Sequence, residues 1–317
     1  MILNIFLLVF GFVVLIKSAD IFVDSASDIA THFHLSKMLI GLTIVAFGTS
    51  APEFAVSVKS IISGSGDIVL GNVIGSNILN ILLILGISSM IHPLTVKNNT
   101  VKKEIPITLL ISTLLVVVLG DNIFEKNDVN TFSRGDGIVV LLFFTIFIYY
   151  LFHQMRNKKD KNEIDVPKNI LSTAIILTIA GIVGIILGSN FVVDASSYIA
   201  ANLGVSEKMI ALTIVALGTS LPELVTSVIA TRKGSYDIAI GNIVGSNIFN
   251  IGIVLGIPIS LFGGFSGYAI NIIDLCALLV ATLLLFFCSF TEYKIDKKEG
   301  FLFLIMFIIY YSYVIFG

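Results

Sequence analysis

The sequence predicts an all-α polytopic membrane protein with ten transmembrane helices, arranged as two inverted five-helix repeats. Three observations predict it. The 317-residue chain is 56% hydrophobic and only 13% charged, with a mean hydropathy of +1.01, more apolar than a water-soluble domain. Apolar runs of spanning length recur along its whole extent. One stretch is written twice, as GLTIVAFGTSAPEFAVSV at 41–58 and ALTIVALGTSLPELVTSV at 211–228.

In chain order the apolar runs place helices near residues 2–30, 36–60, 68–91, 104–120 and 135–155, then near 169–201, 206–231, 238–262, 268–290 and 297–316. The opening run, MILNIFLLVFGFVVLI, lacks the basic flank and small-residue cleavage site of a secretory signal, so it is expected to remain as the first membrane helix. The most polar connection, RNKKDKNEIDVPK at 156–168, divides the chain into a first repeat (1–155), a central cytoplasmic loop (156–168) and a second repeat (169–317). At a shift of 170 positions, residues 36–86 match 206–256 at roughly 28 of 51 places, which marks a true internal repeat. An odd number of spans in each half makes the second copy enter the membrane from the opposite side, hence the inversion.

Charge placement tests this topology independently. One alternating set of connections collects Lys37, Lys97, Lys102, Lys103, Arg156, Lys158, Lys159, Lys161, Lys168, Arg232, Lys233, Lys294, Lys297 and Lys298, and the other only Lys59, Lys126, Arg134 and Lys208. By the positive-inside rule the first set is cytoplasmic and both termini face outward, in a multi-pass protein of the cell membrane. Lys17 remains within the first helix, where its stem can snorkel. The net charge of −2 and the confinement of basic residues to short connections leave no surface for nucleic acid. Cys276 and Cys288, twelve apart in one apolar run, suit neither a zinc site nor a disulfide framework.

Each copy of the repeated stretch places a glutamate, Glu53 or Glu223, inside an apolar run. A carboxylate at membrane depth costs several kcal/mol, so a pair at equivalent points of two repeats marks a functional site. Ala46, Thr49, Ser50, Glu53 and Ser57 follow three- and four-residue steps, as do Ala216, Thr219, Ser220, Glu223 and Ser227, so each set falls on one helical stripe. Gly48 with Pro52, and Gly218 with Pro222, loosen the helix beside the carboxylate and free backbone oxygens. The next helix of each half adds Asn72, Ser76 and Asn80, or Asn242, Ser246 and Asn250, each stepping by four. Gly71 with Gly75, and Gly241 with Gly245, permit close approach of another helix.

Two carboxylates among hydroxyl, amide and carbonyl oxygens, without thiolate or imidazole, suit a hard cation such as Ca²⁺. His32, His34, His92 and His153 all fall near predicted helix ends, where solvated histidines are ordinary. Two negative charges match one Ca²⁺ or about two Na⁺, so one species opposes the other at a shared site, and protons compete for the same oxygens. Polar interhelical contacts alone would explain a single Asn or Ser, but not the whole doubled constellation. An intramembrane hydrolase would need an oriented base with a nucleophile or activated water, and no HExxH-type motif is present. A channel is disfavoured by inverted repeats with broken helices at their interface.

With GTSAPE at 48–53 and GNVIGSNILN at 71–80, and again GTSLPE at 218–223 and GNIVGSNIFN at 241–250, the chain resembles the cation/Ca²⁺ exchanger superfamily, specifically its prokaryotic sodium/calcium exchanger branch. The resemblance covers both repeats and implies an antiporter, not an enzyme, that works without a cofactor, with Na⁺ and Ca²⁺ as substrates in the lipid bilayer and the monomer as working unit. It implies Glu53 and Glu223 as central ligands. Thr49, Ser50, Ser76, Thr219, Ser220, Ser246 and the backbone oxygens of Ala46 and Ala216 would complete four clustered cation sites. It further implies long, tilted first and sixth helices that slide across the core, the sixth bearing Gly181, Gly184 and Gly188. Such exchangers often carry an aspartate where this chain has Asn250, the counterpart of Asn80, so no stoichiometry is carried over. A related antiporter driven by H⁺ or K⁺ through the same glutamates is the alternative.

Overall fold

The structure is a computed structural model and describes residues 2–120, 130–157, 167–205, 214, 216–266 and 271–316. Its helices are α1 (Ile2–His32), α2 (Lys37–Thr49), α3 (Ala51–Ile62), α4 (Gly66–Ile91), α5 (Ile105–Leu119), α6 (Arg134–Asn157), α7 (Leu171–Asn202), α8 (Ala216–Thr219), α9 (Leu221–Arg232), α10 (Tyr236–Phe262), α11 (Ile272–Phe290) and α12 (Lys297–Phe316). Helix prevails because in hydrocarbon each backbone N–H and C=O must find its partner within its own segment. Seven of these helices are long and apolar enough to cross a membrane, and the bent pair α2–α3 makes an eighth span. Of the other two expected spans, α5 has 15 residues and continues directly from a π-helical turn at Thr100–Glu104. The region 206–231 is described only at residue 214 and from Ala216 onward, in α8 and α9. Lys126, Lys158, Lys159, Lys161 and Lys208 lie outside the described residues.

The centre of the molecule is the pair α4 and α10. Of their most apolar stretches, 72% and 94% is buried, against 17% for α1 and 11% for α12. Both are predominantly apolar, as enclosed helices must be, apart from the buried Asn and Ser residues they carry; Ile78, Ile81, Ile248 and Ile251 are fully covered. The outer helices turn side chains such as Phe6, Ile176 and Ile308 outward, where lipid is the natural solvent.

Along one flank α1 and α7 lie against each other at very short range. A Cβ on Gly188 would sit 2.7 Å from the backbone nitrogen of Leu15, and one on Gly11 2.9 Å from Phe191 Cβ. Gly181 faces Phe22 and Gly184 faces Ser18 in the same seam. The glycine face expected on this helix is therefore occupied by α1. Together the two helices form a second apolar core with Ile40, Val45, Ile229, Ala230 and Ile238.

Two small ladders join the halves of the chain. β1 (Leu94–Thr95) pairs antiparallel with β4 (Lys294–Ile295), and β2 (Thr131–Phe132) pairs antiparallel with β3 (Phe265–Ser266). Cys276 is exposed and Cys288 buried, both as free thiols. His32 meets the Asn169 carbonyl oxygen at 2.7 Å, and His92 stacks on Tyr236.

Candidate cation site

The site begins with a broken helix. α2 and α3 meet at 46° across Ser50. Pro52 has no N–H to return to the carbonyl four residues earlier, so the ladder stops and restarts, with Glu53 in the first turn of α3. Ser220, Pro222 and Glu223 repeat the arrangement at the start of α9. A helix N-terminus carries partial positive charge and unpaired N–H groups, so each glutamate stands at the end of a helix that favours an anion. π-helical turns follow nearby, at Gly41–Val45 in α2, Asn80–Leu85 in α4 and Asn250–Leu255 in α10; such turns recur at functional sites.

Both carboxylates are fully buried. Ser76 Oγ donates to Glu53 Oε1 at 3.5 Å, and Ser246 Oγ donates to Glu223 Oε1 at 3.4 Å. Asn72 Nδ2 donates to the Glu53 carbonyl and to Ser57 Oγ, while Asn242 Nδ2 donates to the Glu223 carbonyl and to Ser227 Oγ. Thr49 Oγ1 donates to Asn242 Oδ1 at 3.0 Å, and Thr219 Oγ1 to Asn72 Oδ1 at 3.5 Å. Every one of these bonds has a counterpart 170 positions away. The reciprocity fails at two contacts: Ser50 Oγ donates to Glu223 Oε1 at 3.1 Å, whereas Ser220 Oγ donates to Ser76 Oγ at 3.2 Å, and the Thr49 and Ser246 hydroxyls also meet at 3.4 Å, while Thr219 bonds Asn72.

These side chains thus form two mirrored hydrogen-bonded groups, each drawn from both repeats: Glu53 and Ser76 with Thr219 and Ser220 around Asn72, and Glu223 and Ser246 with Thr49 and Ser50 around Asn242. Asn80 and Asn250 are also fully buried, one helical turn beyond the two serines. The Ala46 carbonyl oxygen already accepts from the Ser50 amide at 3.0 Å and from the Thr49 hydroxyl at 3.3 Å. Ala216 opens α8, and its side chain lies outside the described residues. Four buried oxygens in and beside these groups have no hydrogen-bond partner among the described residues: Glu53 Oε2, Glu223 Oε2, Asn80 Oδ1 and Asn250 Oδ1. Buried polar atoms are ordinarily paired. Here acceptors alone are left over, two anionic and two neutral, a set complementary to a hard cation.

The expected stripe of Asn72, Ser76 and Asn80 passes over Asn77, and that of Asn242, Ser246 and Asn250 passes over Asn247. Both omitted asparagines are buried and bridge the halves. Asn77 Nδ2 donates to the Asn247 carbonyl at 3.2 Å, and Asn247 Nδ2 to the Asn77 carbonyl at 3.3 Å. Their recurrence beside the serine in both GSN triplets was the available signal; a four-residue stripe alone does not select them.

The sodium/calcium exchanger protein family matches this chain over residues 3–153 and 173–316. The chain is similar to the putative antiporter CaxA of Alkalimonas amylolytica, with 38% identity covering 99% of this chain and 98% of the relative. It is 32% identical to the sodium/calcium exchanger MaX1 of Methanosarcina acetivorans, covering 99% and 98% of the two chains. Among solved structures, the sodium-calcium exchanger NCX_Mj, soaked with zero Na⁺ and Ca²⁺, superimposes with a TM-score of 0.83 at 35% identity, over 97% of each chain. On this match, over nearly its whole length, the chain belongs to the sodium/calcium exchanger protein family.

Proposed function

We propose that this protein is a secondary antiporter that exchanges Na⁺ for Ca²⁺ by alternating access at one shared site, with Glu53 and Glu223 as its central ligands. One observation carries the reading: two buried carboxylates, one from each repeat, each held by a serine through one oxygen while the other oxygen has no partner. Two fixed negative charges in a low-dielectric interior must be neutralised, and a divalent ion or monovalent ions do so in competition. Thr49, Ser50, Ser76, Asn80, Thr219, Ser220, Ser246 and Asn250 supply the neutral oxygens of the same site. The Ala46 backbone oxygen joins them when the Thr49 hydroxyl turns away from it, and the Ala216 backbone oxygen is its counterpart in the second repeat.

The architecture that serves this function is a ten-helix chain in two oppositely inserted repeats, 1–155 and 169–317, joined by a cytoplasmic loop at 156–168. What supports inversion is the reciprocity of the contacts. The β1–β4 and β2–β3 ladders exchange partners between halves. Tyr150 donates to buried Glu104 in the first half and Tyr310 to Asp274 in the second. The basic residues place the β1–β4 end on the cytoplasmic side of the cell membrane and both termini outside.

Flux of ⁴⁵Ca²⁺ into proteoliposomes under imposed Na⁺, K⁺ or H⁺ gradients tests the assignment. Uptake driven by an outward Na⁺ gradient is the expected result. Uptake that follows only H⁺ or K⁺ would transfer the site to a different counter-ion, and conductance without counter-transport would overturn the antiporter reading.

A further inference from the structure

We infer that Asn77 and Asn247, which touch neither carboxylate in the structure, are positioning residues that lock the amides of Asn80 and Asn250 with their carbonyl oxygens free for the transported cation. The inference rests on the antiporter reading above and extends it to two residues outside the proposed ligand set. An asparagine amide can present either an acceptor or a donor to an ion, and only the acceptor binds one. Sequence alone leaves that choice open.

Backbone chemistry closes it. The carbonyl of Asn247 can only accept, so the Asn77 group 3.2 Å from it must be the NH₂. The other end of the Asn77 amide is therefore Oδ1, which can only accept in turn. Asn250 lies against it at 3.1 Å and must present its own NH₂. That leaves Asn250 Oδ1 as the free end of its amide, buried and without a partner. The mirrored chain runs from the Asn77 carbonyl through Asn247 Nδ2 at 3.3 Å and Asn247 Oδ1 to Asn80 Nδ2 at 2.9 Å. It ends on Asn80 Oδ1, likewise unpartnered. Each asparagine of the central pair thus spends its NH₂ on the opposite backbone and its carbonyl on the opposite ligand amide. Flipping any one of the four would set donor against donor or acceptor against acceptor somewhere in the chain.

The test is equilibrium ⁴⁵Ca²⁺ binding to the detergent-solubilised full chain, with folded protein quantified by size-exclusion chromatography. Asn247→Leu removes the acceptor that holds Asn80, and the apparent Kd for Ca²⁺ is expected to rise about tenfold or more, the usual effect of losing a group that orients a ligand. Adding Asn80→Asp to that variant should recover most of the loss, because a carboxylate presents oxygen in either rotation. A purely structural role would lower the yield of folded protein without changing Kd, and Asn80→Asp would rescue nothing; either result overturns the inference. Should Asn247→Leu fail to fold, a crystal structure of the unmodified protein with Sr²⁺ decides. Asn80 or Asn250 turned with Nδ2 toward the ion, or released from Asn77 and Asn247, overturns the inference; the pairing retained with Oδ1 facing the ion supports it. Wild-type protein without saturable Ca²⁺ binding would sink this inference together with the antiporter reading, whereas wild-type binding that Asn247→Leu leaves unchanged would sink this inference alone.

Discussion

The two signature segments, 41–86 and 211–256, are close to the same sequence and yet are packed differently. On the second-repeat side Asn242 is fully buried, and Gly241 and Gly245 press on α2: a Cβ at Gly245 would sit 2.7 Å from Ala46 Cβ. On the first-repeat side Asn72 is half-buried, and Gly71 and Gly75 border a cavity of about 140 Å³ that also touches Asp67, Asp274 and Tyr310. A Cβ at Gly75 meets nothing within 4 Å among the described residues. Equal sequences with unequal packing are what alternating access requires, because a molecule symmetric in one state would be open to both sides or to neither. The hydrogen-bond chemistry at the centre keeps most of its mirror symmetry, broken at Ser50 and Ser220, while the approaches to it do not.

The largest effect should come from breaking the symmetric centre. Glu53→Gln and Glu223→Gln are each expected to abolish Na⁺-driven ⁴⁵Ca²⁺ uptake in proteoliposomes while the protein still elutes as a folded species; full transport by either variant would remove that residue from the site. Next comes the packing difference. Gly245→Ala should destabilise by about 1–3 kcal/mol, through overpacking against Ala46 and Leu42. Gly75→Ala should leave the thermal midpoint in detergent unchanged but slow exchange, since the opposite state must close that gap. Equal losses of stability in the two variants would erase the comparison.

A smaller effect probes a point inside the site where the mirror fails. Ser50→Ala removes a direct donor to the Glu223 carboxylate and should weaken Ca²⁺ affinity by about ten- to a hundredfold, since hydrogen bonds to charged groups are worth ~1.5–3 kcal/mol. Ser220→Ala removes only a hydroxyl–hydroxyl contact and should cost less. The smallest effect belongs to the periphery. Lys233 Nζ lies 2.7 Å from carboxylate oxygens of both Asp20 and Asp24, tying α1 to the α9–α10 turn, while the position 170 residues earlier is Ser63. Lys233→Ala is expected to cost about 0.2–1 kcal/mol per exposed pair lost, measurable as a thermal shift that fades in high salt.

Much of this was legible in the chain itself. Glu53 and Glu223 announce themselves because a carboxylate in an apolar run is expensive wherever it occurs. Pro52 and Pro222 announce the helix break because a missing N–H is a local property. Span positions follow from hydropathy: even α5, with 15 residues, is continued at its start by the helical turn Thr100–Glu104. Asn77 and Asn247 are not marked by the sequence pattern because a four-residue stripe describes one helix, and their partners lie on another.

What the sequence determined alone was a membrane-embedded helical chain, its internal duplication and the two acidic residues at matching points. These depend on composition, on repetition and on backbone covalent structure, all of them readable without a third dimension. Only the tertiary structure decided which oxygens are left unpaired, which way each amide turns and which face of the duplicated core stands open. Those are outcomes of competition among donors and acceptors from helices far apart in the chain. Such a competition is settled only once packing brings the helices together.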